Sequence, residues 1–400
     1  MNRRVDDRQS HGGDKAMTTL AQPRPGTAPG IMNMVLIGAV VGLLASAAYV
    51  ALQLLSQGHG AYNGDSRGIF WGLPIVTYDF FLLSSTGLAM LASVWTVFRV
   101  DAYRAIARRA LWLAVAALAG GVAALFLELG YPLRAVFMIP FSGSTSAPLF
   151  WKVWGVIFYG IGLLWMIAAW LRPNQADPPR AAAVLTLVAS VFITFIAGGV
   201  YGWMSMRPFW FGGEMSLAFL VESLLGAVTF TIIFTHVARG FDVNRLTAAE
   251  RELFAGRLGG LFAILMVAHA FFVVSRLVSG LYANADGMQV WHYLWSRPLF
   301  HLELWVGLGL PIVLTALPSL RRNLQLQLLA AVIAIVALFV ARYDFVIGGQ
   351  LVPLFKGSWV HGLLEYRPSA TEWAVLALAV FLANTVNALG ERVLRLDGES

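Results

Sequence analysis

Apolar runs of about 20 residues or more, separated by short stretches rich in charge, Pro and Gly, recur from residue 31 to residue 394. A helix rising about 1.5 Å per residue needs that length to cross a hydrocarbon core roughly 30 Å thick. The pattern predicts ten transmembrane helices, near 31–55, 71–98, 106–130, 148–171, 181–204, 215–239, 256–283, 293–318, 323–343 and 370–394. The runs do not alternate apolar with polar positions, as the strands of a membrane barrel would. The fold class expected is therefore an all-α polytopic membrane protein. Met1 to Gly30 is polar and rich in Pro, Gly and charge, and the apolar run after it is too long for a signal-peptide core. That predicts a disordered tail over 1–30, a retained first helix, and one transmembrane unit over 31–395. No short-period repeat is visible, and the two halves show no mutual similarity.

Composition agrees with the pattern. Of 400 residues, 58% are hydrophobic and 12% charged, with mean hydropathy +0.72, more apolar surface than a soluble domain can hide. The net charge of +7 does not point to nucleic acid, because the basic residues cluster between apolar segments. When alternate loops are assigned to opposite sides, roughly two thirds of the 28 Lys and Arg residues fall on one side, which makes that side, with both termini, cytoplasmic. Without any cysteine the chain has no ligand for a thiolate-held zinc or iron–sulfur cluster and no thioether for a c-type haem. Redox metal would have to come from histidines or another subunit. The outward loops carry Trp71, Phe141, Trp210, Phe211, Trp291 and Trp359, which suit either an interfacial aromatic belt or a docking surface.

A charge inside the hydrocarbon costs a few kcal/mol, so each one needs an interior partner, a wet cavity or a neutral form. Asp79 lies early in the second helix, Glu128 ends the third, Glu222 sits in the sixth, Arg276 in the seventh, and His301 with Glu303 in the eighth. By helix rise all fall within roughly 15 Å of the outer boundary. His236, near a cytoplasmic helix end, reads as a helix-end group rather than a ligand. His269 and Arg276, seven residues apart, share a helix face. Either they form part of a polar track for protons, or Arg276 neutralises Glu222 or Glu303 while His269 donates one interhelical hydrogen bond. His269 and His301 differ in depth by roughly 10 Å, which argues against a haem held between them. Quinone chemistry needs donors to two carbonyl oxygens, a proton-handling group and an apolar slot; Tyr78, Asp79, Glu128, Tyr201 and His301 supply the polar part at similar depth.

Several segments resemble one family. Trp71-Gly72-Leu73-Pro74-Ile75-Val76-Thr77-Tyr78-Asp79 is similar to the Trp-Gly-x-Pro-Ile-x-x-Tyr opening of the NrfD-like, or polysulfide reductase, membrane subunits. Leu127-Glu128-Leu129-Gly130-Tyr131-Pro132-Leu133-Arg134 looks like their Leu-Asp-Leu-Gly-x-Pro-x-Arg turn, with Glu in place of Asp. Ser146-Ala147-Pro148 leading to Trp154-Gly155, though spaced differently from the tighter family form, and Tyr201-Gly202 before Arg207-Pro208-Phe209-Trp210 follow in the same order. Arg342-Tyr343-Asp344 and Tyr366-Arg367-Pro368-Ser369 with Glu372 resemble the ten-helix branch.

The resemblance implies two four-helix bundles flanked by extra helices and a quinone pocket (menaquinone or ubiquinone) near the periplasmic face of a bacterial inner membrane. It implies no bound metal, with Tyr78 and Asp79 in the pocket wall and Tyr201 against the ring. The partners implied are a ferredoxin-like iron–sulfur subunit and a catalytic subunit, which could be a molybdopterin enzyme, a multihaem cytochrome or a hydrogenase. His301 joins the quinone set by its chemistry, and Glu128, Glu222, His269, Arg276 and Glu303 are the candidates for proton transfer. Whether this chain is itself catalytic stays open. The alternatives are a secondary transporter whose intramembrane charges bind an ion or solute, and an anchor for a periplasmic enzyme.

Overall fold

The computed structural model describes residues 29–64, 68–172, 177–283, 287–354, 362–394 and 396. Nearly all of the N-terminal tail, and Arg67, Lys356, Trp359 and Arg395, lie outside the described residues. Among those described, ten helices are long and apolar enough to cross a membrane, and there is no strand. They are α1 (Pro29–Gln57), α2 (Leu73–Phe98), α3 (Arg104–Glu128), α4 (Pro148–Trp170) and α5 (Arg180–Gly202), followed by α6 (Met215–Ala238), α7 (Gly259–Tyr282), α8 (Pro298–Ala316), α9 (Leu324–Gly348) and α10 (Ala370–Val393).

The ten helices form two four-helix bundles, α2–α5 and α6–α9, joined along α2 and α6, with α1 and α10 paired on the flank of α3. The start of α10 meets the end of α1, where the Ser369 hydroxyl donates to the Ala61 carbonyl at 2.8 Å. α2 is the pivot, and most of its length is buried. Within lipid, apolar side chains gain nothing by preferring protein to acyl chains, so small residues and hydrogen bonds must hold such a helix. On α2, the Ser85 hydroxyl donates to the Ala114 carbonyl of α3 at 2.6 Å and pairs with Tyr159 of α4. Thr86 meets Thr194 of α5 and Ser223 of α6. Gly87 packs so closely on the backbone of Ser223 that a side-chain carbon there would overlap it.

Four details differ from the sequence pattern. The outward segment after α3 contains a short helix, Pro132–Phe141, whose Phe137, Met138 and Phe141 are exposed. The predicted helix 293–318 is broken: Gln289–Trp295 is separate, and α8 carries a π-turn over Glu303–Gly309. A second π-turn, Phe254–Leu258, links Ala248–Leu253 to α7. α9 runs on to Gly348, past the predicted end, because its Arg342 and Asp344 find partners inside the protein.

Candidate functional site

α2 enters through Trp71-Gly72, and Pro74 sits in its first turn, where the missing amide costs nothing. The entry is fixed from the far end of the chain. The amides of Phe70 and Trp71 donate to the side-chain oxygen of Gln350, and that of Leu73 to the Tyr366 hydroxyl. Tyr366 in turn donates to Glu372 at 2.7 Å, the residue that closes the capping box of α10. Burial, and then the Glu372 carboxylate, hold the Tyr366 phenol well above its ordinary pKa, so it stays a donor.

About 9 Å further along the helix comes Asp79, 1% exposed. One carboxylate oxygen accepts a hydrogen bond from the Tyr201 hydroxyl of α5. The other lies 3.5 Å from Lys152 Nζ of α4, and that ammonium stands 4.9 Å from the centre of the Tyr78 ring. A buried carboxylate is tolerable only when paired and hydrogen-bonded, and three helices of the first bundle meet those terms here. Trp71 stacks on Trp210 at 5.3 Å, and both rings set their edges against Tyr201. Trp210 is buried in this stack and Trp291 against Phe209, so neither presents an exposed ring to an aromatic belt or a docking surface; Phe141 and Phe211 are exposed.

Tyr201 also touches Phe219 and Phe345, which line a cavity in the second bundle. This space, about 620 Å³ including its mouth, is bordered by Glu222, His269, Arg276, Glu303, Arg342 and Asp344 among aromatic side chains. Arg342 pairs with Glu222, its guanidinium 4.0 Å from the Phe219 ring centre. His269 Nδ1 is 3.7 Å from Glu222, too far for a hydrogen bond. Arg276 pairs with neither Glu222 nor Glu303. It lies 3.8 Å from Glu214, donates to the Phe209 carbonyl, and sits among the rings of Phe209, Trp291 and Phe345. Arg297 and Asp344 are 3.6 Å apart.

The structure therefore joins Tyr78, Asp79 and Tyr201, and separately Glu222, His269, Arg276 and Glu303. Glu128 belongs to neither group: it ends α3 close to Tyr62, whose phenol is raised by burial first and then by the charges of Glu128 and Glu372. His301 is also apart, its Nε2 2.7 Å from the Trp295 carbonyl and its ring edge-on to that indole. The ring nitrogen of His236 bonds the Ile232 carbonyl one turn back, as a helix-end group does. Lys152 and Arg342 complete the two clusters, though neither carried a site role from sequence; a cation inside an apolar run, which must have a buried partner, was the available signal. Among the described residues no group of three or more His, Cys, Asp or Glu side chains could hold a metal ion.

Residues 61–354 match the family described as Polysulphide reductase, NrfD. The chain belongs to that family, and it is a multi-pass membrane protein. It is 24% identical over 380 residues to a putative membrane subunit of dimethyl sulfoxide reductase from Halobacterium salinarum, covering 84% of this chain and 86% of that one. It is 22% identical to a subunit of selenate reductase from Mesobacillus selenatarsenatis, covering 76% and 80%. With the integral membrane subunit of menaquinone reductase from Nitratidesulfovibrio vulgaris it shares 21% identity, covering 86% and 87%.

Proposed function

We propose that this chain is the quinone-handling membrane subunit of an oxidoreductase complex in a bacterial inner membrane, exchanging electrons with an iron–sulfur subunit that serves a separate catalytic subunit. The observation that carries the proposal is the buried Asp79 carboxylate, held by a phenol and an ammonium beneath stacked indoles at one end of the bundle. Family membership and the menaquinone reductase relative support it. The excess of Lys and Arg on the other side supports a periplasmic position for this end and cytoplasmic termini.

The residues fit a quinone head group: Tyr78, Asp79 and Tyr201 with Lys152 give donors and a carboxylate, and Trp71, Trp210, Phe219 and Phe345 give flat apolar faces. A quinone supplies exchange of two electrons and two protons when bound. Lys152 and Tyr201 fix the position of the Asp79 carboxylate, so that a proton arriving there meets a pre-oriented acceptor. The tryptophan roof excludes bulk water. The carboxylates and imidazoles further off, Glu128, Glu222, Glu303 and His269 with Arg276 beside them, are assigned to moving protons between this site and the membrane boundary.

Asp79→Asn keeps the shape and removes the base. In native membranes the variant, with Lys152 left unpaired, should accumulate to a lower level, and each assembled complex should lose on the order of 10²-fold or more of its quinone-coupled turnover. Unaltered turnover per assembled complex would overturn the assignment.

A further inference from the structure

Beside the Asp79 cluster, across the wall formed by Tyr201, Phe219 and Phe345, the second bundle leaves an open-mouthed space that a single quinone at Asp79 does not require. The upper chamber, already described, is followed by a second, narrower one of about 320 Å³ including its mouth, which shares His269, Val273, Glu303 and Ala341 with it. The two differ in character. The upper one brings charged and hydrogen-bonding groups together among aromatic faces; the lower is lined chiefly by Leu225, Met266, Leu304, Leu308 and Leu338.

At the junction two buried polar atoms have no hydrogen-bond partner, His269 Nδ1 and Glu303 Oε2. His269 is 7% exposed and borders both chambers. An unsatisfied buried polar atom costs about 1–3 kcal/mol, so these two define where a ligand's own polar atoms are wanted. The π-turn of α8 begins at Glu303, and such turns mark functional positions in helices because they open the local hydrogen-bond ladder. The charged side chains lining the upper chamber are Arg276, Arg342, Glu222, Glu303 and Asp344; both arginines are already engaged, Arg342 with Glu222 and Arg276 with Glu214 just outside the lining, and Asp344 pairs with Arg297. Such a rim offers an anion no unpaired cation.

We infer that these joined chambers are a second site for a neutral amphipathic ligand, its hydrogen-bonding ring at His269 and Glu303 and its apolar tail in the lower chamber, and that the ligand is a second isoprenoid quinone. The choice of ligand rests on the proposed quinone function; the existence of the site rests on the cavity and its two unpartnered atoms. A phospholipid would leave those atoms facing acyl chains in the lower chamber, and a small polar solute would leave the lower chamber empty.

The test uses the whole complex purified from its native membrane and an azido-quinone photoaffinity probe, with labelled peptides located by mass spectrometry. Label is expected on α2 or α5 and also on α7 or α8. Ala341→Trp, which fills the junction, should lower the α7 and α8 label at least about tenfold and leave the α2 and α5 label in place. If that variant does not assemble, Ala337→Leu, which fills the lower chamber from α9, is read in the same way. Label confined to α2 and α5 overturns the second site and leaves the Asp79 proposal standing. Label confined to α7 and α8 overturns the Asp79 proposal and keeps the second site. Undiminished α7 and α8 label in an assembled filled variant also overturns the inference.

Discussion

Lys152 and Asp79 form an ion pair at a depth where neither can turn to water, the aspartate 1% exposed. Removing one member of such a pair strands the other, at a cost of about 3–5 kcal/mol, whereas removing both can be nearly neutral. Lys152→Met is therefore expected to lower the thermal unfolding midpoint of the purified protein clearly, and the double variant Lys152→Met with Asp79→Asn to recover most of the loss. A double variant that simply adds the two single losses would show that the pair does not couple. Tyr78, Asp79 and Tyr201 were legible in the sequence because a tyrosine or carboxylate inside an apolar run stands out and their motif has a known shape. Lys152 was legible only as one of the basic residues on the outer side, since depth along a helix follows from counting while the identity of the facing helix does not. The same limit hid Arg342 as the partner of Glu222, a place for which helix depth alone made Arg276 equally eligible.

At the scale of helices, ten spans could be read directly, because each must satisfy its backbone internally in lipid and so must be long and apolar. The π-turns left no comparable trace, since one extra residue in a turn does not alter hydropathy. Nor was the central place of α2 visible: its Ser and Thr side chains look like tolerated small residues until Ser85 and Thr86 are seen bonding to α3, α4, α5 and α6. Gly87 tests this view of the helix. Gly87→Val must push α2 away from the Ser223 backbone and weaken that column of hydrogen bonds. The expected result is poor recovery of folded protein in a detergent thermostability assay; Gly38→Val, on α1 where a side-chain carbon meets nothing, should behave as the unaltered protein does.

Over the whole molecule, the end opposite the site is closed by four buried charges from distant parts of the chain. Arg109 of α3 binds Glu391 of α10 at 2.6 Å and Glu250 at 3.1 Å, and Arg239 binds Glu250 at 2.9 Å. Glu391→Gln is expected to destabilise the fold by a few kcal/mol while leaving turnover per assembled complex close to normal, because the network lies at the other end of the helices from Asp79. Alkaline phosphatase fused after residue 400 should be inactive in intact cells if the C-terminus is cytoplasmic, and activity there would reverse the assigned sides. The clip on the entry of α2 sets a schedule for making the protein. Phe70 receives its acceptor from Gln350, 280 residues later; at ordinary synthesis rates that is a wait of roughly 15–60 s. During that interval the helix bearing Asp79 is already in the bilayer with its leading amides unclaimed, and the entry of α2 above Asp79 is among the last parts of the subunit to be finished. An interrupted chain can therefore insert, but it cannot close the doorway over Asp79.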